Sequence, residues 1–289
     1  MAGKILVTGA TGNIAGLVIP GLQAKGTSVR ALVRSPEKVA PLVDAGVEVI
    51  EGDFANTEAL DSAMEGIDTV LLITPPNADG IKQASNVLAA AKRAGNPRIV
   101  RISALHPTAE GPTDNSRQHF HTDSEIQASG LPYVIIRPHF FMQNIFMAAE
   151  TIGADGVMYW GMGDGRIGFI DVRDIADFTL TVLTEDGHEG KIYTITGPEA
   201  ISWHDVAKTL SGALGKEVTY VPVPLEAVTE AVLNMGMGEW FAGIMTDYSR
   251  AYAEGWGDNT TGDFEAVTGK PPRSIGTFVT EVFAPAFGA

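Results

Sequence analysis

The feature that most narrows the folds open to this chain is a glycine-rich stretch near its beginning. Lys4-Ile5-Leu6-Val7 is a short apolar run ending in a β-branched residue, and Thr8-Gly9-Ala10-Thr11-Gly12-Asn13 follows it directly. Apolar residues then recur at helical spacing, at Ile14, Leu17, Val18 and Leu22, so a strand turns sharply into a helix across two glycines. Gly9 supplies a backbone angle that a side chain forbids. Gly12 lets the backbone come close to a ligand, and the helix end behind it offers free N–H groups and a partial positive charge. A strand–turn–helix of this kind suits a pyrophosphate, and dinucleotide binding is its expected use. Thr11, Asn13 and Ile14 join the two glycines as cofactor-contact candidates. The third small position, which permits close helix–strand packing, falls at Ala15, an accepted alternative to glycine.

The rest of the first half repeats the same alternation. Strand patterns fall at 29–33, 47–50, 69–73, 98–102 and 133–137, with helical patterns between them. Ser35-Pro36-Glu37 reads as a helix start, with a capping serine, proline at the first helical position and an acid in the first turn. Six strands joined by helical crossovers imply a parallel sheet covered on both faces. The expected fold is therefore α/β, a doubly wound parallel-sheet Rossmann fold. Past residue 140 the alternation stops. Short strands are expected at 158–160, 166–170, 192–195 and 218–223, helices at 172–183, 225–235 and 239–254, and Ser202 with Asp205 forms a capping box. We read residues 1–150 as the dinucleotide-binding domain and 151–289 as a smaller C-terminal α/β substrate lobe, with 166–190 packing back on the first domain.

In such sheets ligands bind at the carboxyl ends of the strands. After strand two stands Arg34, where an NAD site would carry an acid for the adenosine ribose. A planar guanidinium fits a phosphate, so the expected cofactor is NADP(H), with Lys38 one turn on as a helper. After strand three, Asp53 is placed to accept from the adenine amino group and Phe54 to pack the ring; a turn aspartate beside a core phenylalanine is the alternative. After strand four, Thr74, Pro75 and Pro76 form a stiff segment where a ribose would lie. After strands five and six come Ser103-Ala104-Leu105-His106 and Pro138-His139-Phe140-Phe141. Four histidines (106, 119, 121 and 139) fall in these segments or on the helix between them. No metal site is expected, because His119 and His121 diverge by about 200° on a helix. A proton donor or substrate contact suits the imidazole better.

Composition excludes several functions. The formal charge of the 289-residue chain is −15, which argues against nucleic acid and against an anionic membrane surface. With no cysteine, disulfides and thiolate chemistry are out of the question. No leader pattern is read at the N-terminus, and the apolar region from Leu131 to Ala149 is broken by Pro132, Arg137, Pro138 and His139, so a membrane span is not expected. A cytoplasmic enzyme acting as a monomer or homodimer on a small-molecule substrate is the expectation.

These residues together resemble the NmrA-like family of atypical short-chain dehydrogenases/reductases, including its quinone-oxidoreductase-like and triphenylmethane-reductase-like members. The resemblance rests on the glycine stretch, Arg30-Ala31-Leu32-Val33-Arg34, the run from Gly46 to Asp53, Ser129 to Pro138, and Asp171-Val172-Arg173-Asp174-Ile175-Ala176. It implies an NADP-binding Rossmann domain with a small variable lobe. The Tyr-x-x-x-Lys pair of related reductases would fall on Asn115 and His119, so neither catalytic type is present. Ser103 occupies the position of the family's active-site serine, and Pro138 that of a cofactor contact. His119-x-x-x-Asp123 resembles the His-x-x-x-Glu arrangement of quinone-reductase-like members.

The expected activity is therefore hydride transfer from NADPH to a small conjugated acceptor such as a quinone. Ser103 and His119 are the catalytic candidates. The nicotinamide is expected near Thr74, Pro75 and Ser103, with His106, His139, Phe140, Phe141 and Trp160 against the acceptor. Two alternatives stay open: a dinucleotide-binding redox sensor without turnover, and an isomerase or lyase on the same fold.

Overall fold

In the computed structural model, which describes residues 3–34 and 39–287, the glycine stretch joins β1 (Ile5–Val7) to α1 (Asn13–Ala24). The chain continues through β2 (Val29–Val33), α2 (Ala40–Asp44), β3 (Glu48–Glu51), α3 (Thr57–Met64), β4 (Thr69–Leu72), α4 (Gly80–Arg93), β5 (Arg98–Ile102), α5 (Asp114–Ala128) and β6 (Tyr133–Pro138). Strands β1, β2 and β4 are buried along their whole length, as a sheet covered on both faces requires. Asn56 caps α3, its side chain accepting from Ala59 N–H. The helix start expected at Ser35-Pro36-Glu37 lies outside the described residues.

The sheet order is β3-β2-β1-β4-β5-β6-β9, where β9 is Ile192–Ile195. All the registers from β3 to β6 are parallel. Strand order reverses between β1 and β4, which is where doubly wound sheets bind their ligands. One assignment is corrected. The segment 192–195 is not a strand of the second lobe but the seventh strand of the main sheet: Ile135 N–H donates to Lys191 C=O at 3.0 Å and His139 N–H to Ile195 C=O at 3.0 Å. Without it β6 would present an unpaired edge.

The chain forms two compact units. The first comprises Met1–Ala109, Ser116–Arg137 and Ile175–Tyr193. Part of its core runs from Leu6 and Leu32 through Phe54, Leu60 and Met64 to Ile135. The second comprises Glu110–Asn115, Pro138–Asp174 and Thr194–Ala289. It holds two small sheets: β7 (Val157–Trp160) with β11 (Thr219–Pro222), and β8 (Arg166–Ile167) with β10 (Ile201–Ser202). The strand expected over 166–170 stops at Ile167; Phe169 turns into the core and Ile170 makes a single bridge to Phe141. The Ser202–Asp205 capping box opens α8 (Trp203–Leu214) as expected. α6 is Ala149–Asp155, α7 Val172–Thr184, α9 Leu225–Asn234 and α10 Glu239–Ala253. No helix among the described residues is long and apolar enough to cross a membrane.

Candidate active site

The turn after β1 has the geometry its sequence demands. Gly9 has φ of +62°, and a Cβ there would lie 3.2 Å from Ile73 C=O. Gly12 is the N-cap of α1 with no side chain capping the helix, and a Cβ on it would lie 3.2 Å from Gly9 C=O. Thr11, Gly12 and Asn13 are exposed, while Ile14 faces inward. Thr8 ties the turn to the end of β4. Its hydroxyl donates to Ile73 C=O at 3.0 Å and accepts from Ile73 N–H at 2.9 Å. The helix end is thus fixed in place, with main-chain donors free of any capping side chain, which is the fit a pyrophosphate needs.

Around this turn the expected contacts differ in setting. Arg34 is exposed immediately past β2. Lys38 lies outside the described residues. Asp53 is exposed, and its Oδ1 accepts from Ala55 N–H at 2.8 Å and Asn56 N–H at 3.0 Å, a local turn that leaves Oδ2 to other donors. Phe54 is buried in the core of the first unit. Thr74 and Pro75 are half-buried.

A polar network lies behind the ends of β5 and β6. Asp123, on α5 and fully buried, takes three hydrogen bonds on Oδ2: Ser103 Oγ at 2.9 Å, Arg137 Nε at 3.0 Å and Arg137 Nη2 at 2.9 Å. Burial pushes its pKa up, against the pull of Arg101, Arg137 and the hydrogen bonds. Oδ2 is thus an acceptor only, and the buried Oδ1 has no partner among the described residues. Arg101, in mid-β5 and 2% exposed, donates from Nη1 to Thr74 Oγ1 at 2.9 Å, and its Nη2 lies 3.2 Å from His119 Nδ1. Desolvation lowers its pKa to about 10, so it stays charged near neutrality. His119 is half-buried, and burial together with Arg101 and Arg137 holds its pKa well below 6.5. The structure therefore brings together Thr74, Ser103 and His119, three of the residues singled out from sequence. Arg101, Asp123 and Arg137, which link them, were not among the site candidates. A charged residue in the middle of the Arg98-Ile99-Val100-Arg101-Ile102 strand was the available signal.

The other candidates have settings of their own. His106 is exposed with φ of +40°. Within the second unit, His139 is 2% exposed; its Nδ1 accepts from Phe140 N–H at 2.7 Å and its Nε2 donates to Gly257 C=O at 3.0 Å. Trp160 is buried and stacks on Trp203 with centroids 4.9 Å apart. Phe140 meets Trp160, Phe169, Trp203 and Tyr252 edge-on. Phe141 is half-buried and Pro138 buried. Phe140 and Trp160 belong to the lobe's aromatic core. Asn115, at the position of the family tyrosine, donates to Tyr248 Oη at 3.1 Å. Asp171 caps α7, accepting from Arg173 N–H, and Asp174 takes the backbone N–H of Arg273, so that motif serves to hold elements together.

A family model described as the NmrA-like family matches residues 1–255. The chain belongs to the NmrA-like family. It is 35% identical over 288 residues to the NAD(P)H azoreductase of Xenophilus azovorans, covering 99% of each chain. The NADPH complex of the Escherichia coli NADPH-dependent quinone oxidoreductase superposes with a TM-score of 0.88 at 29% identity, over 96% of this chain and 99% of that one. The NADP(H) complex of Citrobacter sp. triphenylmethane reductase gives 0.85 at 31% identity, over 94% and 98%.

Proposed function

We propose that this NmrA-like protein is an NADPH-dependent reductase of small, flat, conjugated acceptors, with a quinone the simplest of them. The coarser assignment, an NAD(P)H-dependent oxidoreductase, rests on full-length relatives named as an azoreductase, a quinone oxidoreductase and a triphenylmethane reductase. Those names share a chemistry: each acceptor is electron-poor and delocalised. The observation that carries the finer reading is the residue set behind β5. Asn115 and His119 stand where a tyrosine and a lysine would drive protonation of a carbonyl, and what surrounds His119 instead is two guanidinium groups.

Bound NADPH supplies a hydride, that is, one proton and two electrons moving together. The chain's own residues do the rest. The main-chain donors at α1 hold the pyrophosphate, and Arg34 holds the 2′-phosphate. Thr74 and Ser103 line the nicotinamide end, each hydroxyl fixed by a hydrogen bond to Arg101 or Asp123. His119 would face the acceptor, and His106 is proposed to contact it. Orientation and exclusion of water supply most of the rate. The test is NADPH oxidation followed with a panel of quinones, azo dyes and triphenylmethane dyes. Acceptor-dependent oxidation is expected; NADPH binding with no oxidation by any acceptor would leave the sensor reading instead.

A further inference from the structure

We propose that Arg101 is a positioning residue that locks His119 into one neutral tautomer, with its proton on Nε2, so that His119 offers the acceptor a hydrogen bond rather than a proton. The inference rests on the reductase reading and narrows its substrate class.

The geometry leaves little choice. A guanidinium carries donors only, so the 3.2 Å contact between Arg101 Nη2 and His119 Nδ1 requires Nδ1 to accept. The single imidazole proton must then sit on Nε2. Arg101 cannot turn away. It is fully buried, its other terminal nitrogen is held by Thr74 Oγ1 at 2.9 Å, and Thr74 directly follows the β4 segment beside the glycine turn. Among the described residues His119 Nε2 has no hydrogen-bond partner, and it is not one of the enclosed polar atoms that lack one, so that N–H is open to a ligand.

Protonating Nδ1 would break the Arg101 contact and place a second cation against a buried guanidinium. The charged groups facing the ring are Arg101 from β5, Arg137 from β6 and, one turn along α5, Asp123. No hydrogen bond joins Asp123 to the ring: its Oδ2 takes Ser103 and two nitrogens of Arg137, and its buried Oδ1 has no partner among the described residues. Both cations oppose the charged ring, and burial opposes it further.

The consequence is a division of labour in the reaction. The hydride brings two electrons to a neutral acceptor such as a quinone, which becomes an anion, while NADPH becomes NADP+. The Nε2–H hydrogen bond stabilises that anion, and the proton that completes reduction comes from water. An acceptor must therefore delocalise the negative charge: a quinone or another extended conjugated system does so, whereas an isolated ketone, whose alkoxide needs an acid partner, does not.

The experiment uses imidazole nitrogen NMR on the intact protein labelled at histidine, between pH 8 and pH 5, with His119→Gln serving to assign the signals. The proposal expects His119 to show a protonated Nε2, an unprotonated Nδ1 and no titration across this range. A proton on Nδ1, or an ordinary midpoint near 6.5, would overturn it. In Arg101→Leu the same ring should begin to titrate in that range, and Arg101→Lys should restore the wild-type pattern. Should Arg101→Leu fail to fold, the wild-type spectrum decides alone. NMR needs no turnover, so the tautomer and the reductase reading fail separately. With the enzyme turning over, simple aliphatic ketones should not be reduced; their reduction at rates matching quinones would refute the substrate restriction.

Discussion

Two regions of the first unit face related tasks with opposite materials. The α1 end is made of main chain. Its charge is carried by backbone N–H groups around Gly9 and Gly12, and Thr11, Gly12 and Asn13 stand exposed. The β5–α5–β6 region is made of side chains, with Arg101 and Asp123 almost fully enclosed and Arg137, Ser103, Thr74 and His119 attached to them. A backbone site needs only correct local angles, so it can sit in the open and accept an ion from solvent. A side-chain site must be assembled from distant parts of the chain, and its charges depend on partners to be held in low dielectric. In the proposed function binding is the task of the first region and chemistry that of the second, and they should break differently.

The largest effect is expected from Asp123→Ala. It leaves Arg137 without the buried carboxylate it pairs with and Arg101 without the nearby opposite charge, and loss of one partner of a buried pair costs about 3–5 kcal/mol. Urea unfolding should show that drop; a loss under about 1 kcal/mol, the range of exposed pairs, would mean the network is far wetter than its burial indicates.

Gly9→Val should act the other way round, on binding more than on folding. A branched side chain at φ of +62° with Ile73 C=O 3.2 Å from its Cβ adds strain of about 1–2 kcal/mol and displaces the turn. NADPH affinity, read by fluorescence titration, should fall on the order of 100-fold, about 2.8 kcal/mol, while the protein remains folded. Unchanged affinity would remove the turn from the cofactor site.

Arg34→Ala sharpens the comparison, because it tests a side chain added to a main-chain site. Loss of a charged hydrogen bond is worth about 1.5–3 kcal/mol, so NADPH affinity should fall roughly 10- to 100-fold and NADH affinity hardly at all. Equal losses for the two would show that Arg34 does not read the 2′-phosphate.

The smallest effect is a pH dependence of stability. His119 has a folded-state pKa below its unfolded value. Its contribution is therefore fully present above about pH 6.5 and is lost as pH falls from there toward the folded pKa. Relative to His119→Gln, the wild type should lose up to about 1.4 kcal/mol per pH unit below 6.5. Parallel unfolding curves for the two proteins from pH 7.5 to 5.5 would contradict this.

The same contrast explains what could be read from the sequence. The turn at Gly9 and Gly12 and the strand–helix alternation are local patterns, and the main sheet follows from them together with the handedness of crossovers. The seventh strand was missed as such because Ile192–Ile195 lies 54 residues past β6 (192 − 138), and its pairing is a tertiary choice. Ser103 and His119 were visible as residue types. That Arg101 joins His119 to Thr74, and that Asp123 joins Ser103 to Arg137, depends on side chains from β4, β5, α5 and β6 meeting, and no spacing rule encodes that. Phe140 was read as an acceptor contact because it is aromatic and follows a strand end, and Trp160 because it is an aromatic of the second lobe; both pack in the core of the second unit.

The central claim, hydride transfer from NADPH to a conjugated acceptor, is most directly tested by an anaerobic single turnover. Protein loaded with NADPH is mixed with a quinone, and both redox partners are followed. The account predicts that bound NADPH is oxidised in step with an equal amount of quinone reduced, and that the Gly9→Val protein at the same concentrations shows neither change. Bound NADPH that stays reduced in the presence of the quinone, and of azo and triphenylmethane dyes in turn, would contradict it.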